Sequence, residues 1–394
     1  VYGVPIFYFP KFFHPDPTAE RQSGFLAPFF TDSTTIGTGF GLPYFWAISN
    51  DSDLTFTPKV YGNENVLLLN EYRQAFKNGF FTLDTSFTQG YKEKTSTKTG
   101  GSRNHIFSKL ELNLDENKPY ESNLTITTQR TSNDTYFRVH DINTNLVTAT
   151  DTNLVNEINY NYKKDNTYLN VNARAYEDLR KSADRYEFIL PNITFGKNFF
   201  SERFGFLDFK SNAYHRNYDG NKFTTFVNND LVWNPGSYVT QKGFLNTIEG
   251  MVKNTNYEAK NTTDLKTSGT VSELSGVISY KSSLPMEKNG INYSETFSPT
   301  FMVRYAPGQM KNRRDDDVFL NYSNLYTLNK TSEIESGLST ILGFDYTLSE
   351  KVTNSSEREK FSISMGQVFN QKKNKDLPVR SSLDQKMSNL VGSM

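Results

Sequence analysis

Apolar and polar residues alternate with a period of two along most of this chain. Over such a length that pattern is met by antiparallel β-strands with two unlike faces. In DLTFTPKVY, Leu54, Phe56 and Val60 share one face while Asp53, Thr55, Thr57 and Lys59 share the other. In HIFSKLELNL, Ile106, Leu110, Leu112 and Leu114 oppose Lys109, Glu111 and Asn113. EINYNY, TYLNVNARAY and FSISM repeat the alternation. Turn signals such as SNDSD, GNEN, KNG, DENKPYE, KKDN and YDGNK separate the runs. No segment carries a convincing helical period. Alternation and turn signals together give about 18 strand candidates. Longer polar loops are expected at 93–104, 131–151 and 309–317.

The number of strands limits the architecture. Open sheets rarely exceed ~10 strands, so about 18 strands must divide into several β-domains or close into one large barrel. No Gly/Pro-rich linker marks a domain boundary, and charged or amide residues recur on the polar face strand after strand. This favours an all-β chain forming one large antiparallel transmembrane β-barrel, with the apolar face toward lipid and the polar face lining a lumen. Mean hydropathy is -0.62, and no apolar run approaches the ~18 residues of a membrane helix. Neither argues against a barrel, whose alternating strands average out as polar.

Other classes find little support. The charges balance, with 43 basic and 43 acidic residues, so no basic surplus points to nucleic acid. There is no cysteine, hence no disulfide and no thiolate metal site in these residues. The four histidines, His14, His105, His140 and His215, lack partners at ligand spacing, and no metal or cofactor is expected. Asp315–Asp317 lacks the spacing of a calcium loop. No GxSxG-like signature marks a hydrolase, although a scattered Ser/His/Asn set stays open as a lesser alternative.

The stretch SGFLAPFFTDSTTIGTGFGLPYFWAI reads as two successive strands, each holding a proline, Pro28 and Pro43. Proline has no N–H to donate to a ladder. The residues alone leave two readings open, a bulge or strand end, and a deliberately weakened pairing. Gly24, Gly37, Gly39 and Gly41 would add local flexibility.

Several segments resemble, in order, the lipopolysaccharide-assembly outer-membrane protein family, LptD. VYGVPIFYFPKFFHPDPTAERQSGFLAP is similar to the junction where that family's periplasmic jelly roll passes into its barrel. GLPYFWAISNDSDLTFTPKVY and Asn70-Glu71-Tyr72-Arg73 resemble its first barrel strands. The similarity continues through Asp134-Thr135-Tyr136-Phe137-Arg138, Ile189-Leu190-Pro191, Val303-Arg304-Tyr305-Ala306-Pro307 and Glu335-Ser336-Gly337, up to SISMGQVFNQKKNKDLPVRSSLDQKMSNLVGS. Each motif is weak alone; their number and order make the resemblance specific.

The resemblance implies residues 1–20 as the end of the jelly roll and 21–394 as barrel. That barrel is very large, about 26 strands, so the chain is read as a piece lacking the last strands. In this family lipopolysaccharide travels by a split route. Its acyl chains ride the jelly roll and leave between the first and last strands, while its sugars cross the lumen. The resemblance then gives Pro28 and Pro43 the place of two lateral-gate prolines. It makes Val4, Ile6 and Tyr8 candidates for the lipid-route junction. Glu71, Arg73, Lys109, Glu111, Arg174, Asp208 and Lys210 become candidates for the lumen lining. Implied partners are lipopolysaccharide, a lipoprotein plug of the LptE type, a periplasmic bridge protein of the LptA type and outer-membrane lipid. The expected location is the cell outer membrane and the expected role is not enzymatic. A passive porin or plugged receptor channel is the main alternative, since it too would show polar-lined strands.

Overall fold

The computed structural model describes residues 21–62, 64–92, 100–263, 265–331, 333–353 and 356–394. The junction candidates Val4, Ile6 and Tyr8, and the segment 1–20, lie outside the described residues. Among the described residues there are 22 strand segments, one four-residue α-helix, Tyr136–Val139, and two short 3-10 turns. Two of the long strands are each interrupted once, and Ser237–Val239 and Met286–Asn289 are short segments beside hairpin ends. Joining the interrupted strands and setting those two aside leaves the 18 that alternation implies.

Two compact units are formed, Val1–Tyr160 with Ala173–Phe188, and Asn161–Asn172 with Ile189–Met394. In the first, each strand from Gly24 to Thr131 pairs antiparallel with the next. In the second, the strands from Gly205–Tyr218 to Ser356–Asn370 do the same, and Val391–Ser393 begins another. Sequence neighbours are ladder neighbours, which short turns between alternating runs require.

Burial runs opposite to that of a water-soluble sheet. On Ser52–Tyr61 the apolar Phe56 and Val60 are 38% and 50% exposed, while Asp53 and Lys59 are 3% and 2% exposed. On Gly79–Gly90 the buried side chains are Thr82, Asp84, Ser86 and Thr88, while Phe87 on the opposite face is exposed. A soluble protein would bury the aromatics. Here the polar face is the covered one.

Loop residues cover it. In the first unit the segment 132–152 folds onto the polar face. Tyr136, Phe137, Ile142 and Val147 pack with Leu67, Phe107 and Leu154 into a buried cluster. In the second unit Leu320 and Leu325 of the 307–336 segment meet Met302, Ile341 and Val368. Leu328 and Ile334 meet Val277 and Ala306. The segment read as a polar loop at 131–151 thus carries apolar anchors that the two-residue strand period does not reveal, and the second unit's anchors lie beyond the loop read at 309–317.

A glycine pair admits the second anchor. Gly343 and Gly366 are opposite one another on neighbouring strands. A Cβ on Gly343 would overlap the Tyr326 hydroxyl and the Met365 carbonyl, and one on Gly366 would overlap Leu325 Cδ2. Gly366→Ala is expected to push Leu325 off the strands at about 1–3 kcal/mol, the usual cost of overpacking. Faster protease cleavage within 307–336 in the folded protein is the readout; unchanged cleavage would refute the close fit.

Candidate functional site

The two prolines lie in interruptions of the first two strands rather than inside continuous ones. The first strand runs as Gly24–Phe25 and Phe29–Thr31, with Pro28 in the gap. The second runs as Gly39–Gly41 and Tyr44–Ala47, with Pro43 in the gap. Phe25 is opposite Tyr44 and Phe29 opposite Gly41, so three residues of the first strand face two of the second. That is a β-bulge at the level of the prolines.

Hydrogen bonds fix which way Pro43 and Pro58 face. The Leu42 N–H donates to the Pro58 carbonyl at 3.3 Å, so Leu42 turns toward the third strand. The Leu26 N–H donates to the Pro43 carbonyl at 2.9 Å, so Pro43 turns toward the first. In each pair the return bond would come from a proline nitrogen, and it cannot form. Gly41, two residues from Pro43, shares its direction, so Phe29 turns its amide inward. Pro28 lies inside the bulge, where the alternation breaks, since Leu26 and Phe29 are three residues apart and both face the second strand. The pairing of the first strand with the second and that of the second with the third therefore lack one donor each, and Pro28 leaves the bulge between the first two without a third. At about 0.5–1.5 kcal/mol net per hydrogen bond, the ladder is thinned in one band.

Pro58 is the member that the sequence reading missed. It stands within Ser52–Tyr61, opposite Leu68 on the next strand. The signal was present, since Pro28, Pro43 and Pro58 recur at equal spacing. Two strands of equal length joined by a turn place such residues side by side.

The glycines of this region serve fit more than flexibility. A Cβ on Gly41 would overlap the Phe29 ring, and one on Gly39 would overlap Tyr61. Only Gly37, in the turn between the two strands, has the left-handed φ of 76° that glycine adopts freely. Arg21 pins the foot of the first strand by an ion pair with buried Asp53 and a bond to the Asn50 carbonyl at 3.2 Å. The start of the strand is held while its middle is weakly paired.

The polar-face candidates fall into register. Asp53, Arg73, Thr82 and Lys109 are successive partners across four strands, and Thr55, Glu71, Asp84 and Phe107 form the next row. Arg73 Nε pairs with Asp53 at 2.8 Å and with Glu71 at 3.4 Å. Lys109 pairs with Glu111 at 2.7 Å, and Arg174 with Glu157 at 2.8 Å. Asp208 and Lys210 lie in the second unit, on the strand Gly205–Tyr218. The structure thus brings Glu71, Arg73, Lys109 and Glu111 onto one face of the first unit.

Sequence reasoning also missed the loop lock. Ser86 Oγ lies 2.6 Å from His105 Nδ1 and 2.7 Å from the Tyr136 hydroxyl. Lys59 Nζ donates to the His140 carbonyl at 3.0 Å. Ser86, His105 and Tyr136 are all buried, so the Ser–His contact seats a loop and presents no open nucleophile. Among the described residues no group of three or more His, Cys, Asp or Glu could hold a metal ion.

His140 makes this lock sensitive to acid. Burial, then Lys59 and Arg103, lower its pKa to about 4 from 6.5. The folded loop therefore binds this proton less readily than the unfolded one. Stability is full above pH 6.5 and is lost as pH falls from 6.5 through 4, by up to about 3 kcal/mol. Hydrogen exchange over 132–152 is expected to quicken across that window and to do so less in His140→Phe. Equal acceleration in both proteins would show that His140 is not the responsible group.

Comparison with known proteins follows from this arrangement. The family model described as LPS transport system D, LptD, matches residues 103–394. The LPS-assembly protein LptD of Shewanella oneidensis is 24% identical over 94% of this chain and 48% of its own length. Its counterpart in Legionella pneumophila strain Lens is 24% identical over 45% of this chain and 22% of its own. That of Shewanella frigidimarina is 26% identical over 58% and 29%. The chain spans at most about half the length of these curated relatives. An all-antiparallel chain with an exposed apolar face and a covered polar face has the strand chemistry of a membrane β-barrel, and with the family model matching most of its length the chain belongs to the LptD family.

Proposed function

We propose that the full-length protein inserts lipopolysaccharide into the outer leaflet of the outer membrane. The substrate's acyl chains would leave through a lateral gate at the first strand while its sugars cross the lumen. The two halves of the substrate demand separate routes, because sugars cannot cross hydrocarbon unsolvated and acyl chains gain nothing from a polar lumen. The observation that carries this reading is the band of missing ladder donors at Pro28, Pro43 and Pro58 in a chain of this family. A barrel in lipid normally pairs every backbone donor, since an unpaired one costs several kcal/mol. A seam that must part benefits from fewer bonds. Glu71, Arg73, Lys109 and Glu111 would line the sugar route, with Arg174, Asp208 and Lys210 as further lining. A lipoprotein of the LptE type would plug the lumen, a bridge protein of the LptA type would deliver substrate to the jelly roll, and Val4, Ile6 and Tyr8 would form the lipid-route junction from the jelly roll to the barrel. The protein acts in this reading as a transporter and not as an enzyme.

Depleting the full-length protein in its own host is the test. Newly made lipopolysaccharide should stop reaching the cell surface and return on complementation. If surface delivery continues unchanged under depletion, the transport reading fails. A passive porin would instead leave delivery intact and lower the permeability to small solutes.

A further inference from the structure

The second unit holds a cavity of about 490 Å³ between the strands Gly205–Tyr218, Lys222–Asn234 and Leu245–Lys260 and the loop segment that carries Lys311 and Arg313. Three rows cross these strands on the cavity side. Lys210 is opposite Asp230, which is opposite Lys253; next come Asn212, Asn228 and Thr255, then Tyr214, Phe226 and Tyr257. The three rings stand in line, Tyr214 to Phe226 and Phe226 to Tyr257, each with centroids 5.3 Å apart.

Two of the cavity's cations are already matched. Lys311 pairs with Glu273 at 2.6 Å, and Arg313 with Glu333 at 2.6 Å. Lys210 and Lys253 make no ion pair among the described residues, although Asp230 stands between them, and Asp230 Oδ1 is buried without a hydrogen-bond partner. What remains is two ammonium groups around one carboxylate that still needs a donor. A bare inorganic anion would be repelled by Asp230, and a neutral sugar would leave the two ammonium groups unmatched. A hydroxyl-rich anion satisfies both: its hydroxyls donate to Asp230, its acidic groups meet Lys210 and Lys253, and the ring row shields its apolar faces.

We infer that this cavity is a binding subsite for an acidic oligosaccharide, which in the transport reading, on which this inference rests, is the phosphorylated sugar portion of lipopolysaccharide in passage. A way-station of this kind must hold its cargo loosely enough to release it, which polar side chains around an open cavity provide.

The test uses the full-length protein in lipid nanodiscs, with fully deacylated lipopolysaccharide oligosaccharide from the host as probe. Maltoheptaose and inorganic phosphate serve as controls. The wild type should bind the oligosaccharide in preference to both. Lys210→Ala with Lys253→Ala should weaken that binding at least tenfold and flatten its salt dependence, and Asp230→Asn should weaken it several-fold. A photo-crosslinker at Thr255 should capture lipopolysaccharide in cells. Unchanged affinity in the double variant overturns the subsite, as does equal binding of maltoheptaose or crosslinking to another acidic polysaccharide alone. Lipopolysaccharide delivery by the wild type is measured in the same strain. Lost affinity differences with intact delivery remove only the subsite, whereas failed delivery removes the transport reading itself.

Discussion

Replacing Pro28 by alanine is expected to close the seam more tightly and to slow lipopolysaccharide delivery. Pro28 stands in the bulge of the first strand, where an alanine regains the N–H that proline lacks and can offer it to a neighbouring strand. One restored bond is worth about 0.5–1.5 kcal/mol, roughly a two- to thirteenfold shift toward the closed seam, and more where water is excluded. In the full-length protein, crosslinking between the first and last strands should rise and surface lipopolysaccharide should fall. Pro58→Ala restores the missing partner of the Leu42 bond on the far side of the second strand. It should therefore act in the same direction but less, and the double variant should exceed either single one. A folded Pro28→Ala protein with normal delivery would sink the gate reading. If Pro58→Ala matched it in seam crosslinking, the effect would be general stiffening of the ladder and not a property of the first strand.

Removing the Glu335 carboxylate should release the 307–336 segment. Arg304 and Glu335 are 2% and 5% exposed, and Arg304 Nη2 lies 2.9 Å from Glu335 Oε2. Arg304 also donates to the Leu328 and Glu335 carbonyls at 2.5 and 2.7 Å, so the strand end grips the loop at two points. Glu335 in turn accepts from the Lys330 and Thr331 amides at 2.5 and 2.6 Å. Glu335→Ala leaves a buried guanidinium unmatched and two amides without an acceptor, a loss of about 3–5 kcal/mol. Trypsin should then cut at Lys311, Arg313 or Arg314 well before the strands are attacked. Glu335→Gln keeps an acceptor for the amides, so it should lie between alanine and wild type. Equal trypsin resistance in all three would mean that the apolar anchors alone hold the segment.

The strands were legible and the loops were not, for one physical reason. A strand announces itself through neighbours two apart, as in Asp53 to Val60, and the count of 18 followed from that local rule. Tyr136, Phe137, Leu325 and Leu328 are buried against residues far off in the chain, and nothing in their immediate neighbours separates an anchor from an exposed aromatic. The helix Tyr136–Val139 is too short to show a period. Pro28 and Pro43 were visible as anomalies, but only the register shows a bulge between them, and only the bonds of Leu26 and Leu42 show which pairings lack a donor at Pro43 and Pro58. The lining candidates were chosen for charge. Register then gathered Glu71, Arg73, Lys109 and Glu111, and gave Lys210 the partners Asp230 and Lys253 that no spacing suggested.

The sequence by itself determined an all-β chain of alternating strands with a polar face too charged for a soluble core, because side-chain direction in a strand is set by covalent geometry at period two. Which of the two faces is covered, what covers it and which pairings lack donors were decided by the tertiary structure alone. Burial, register and hydrogen-bond direction depend on strands and loops that meet across long stretches of chain.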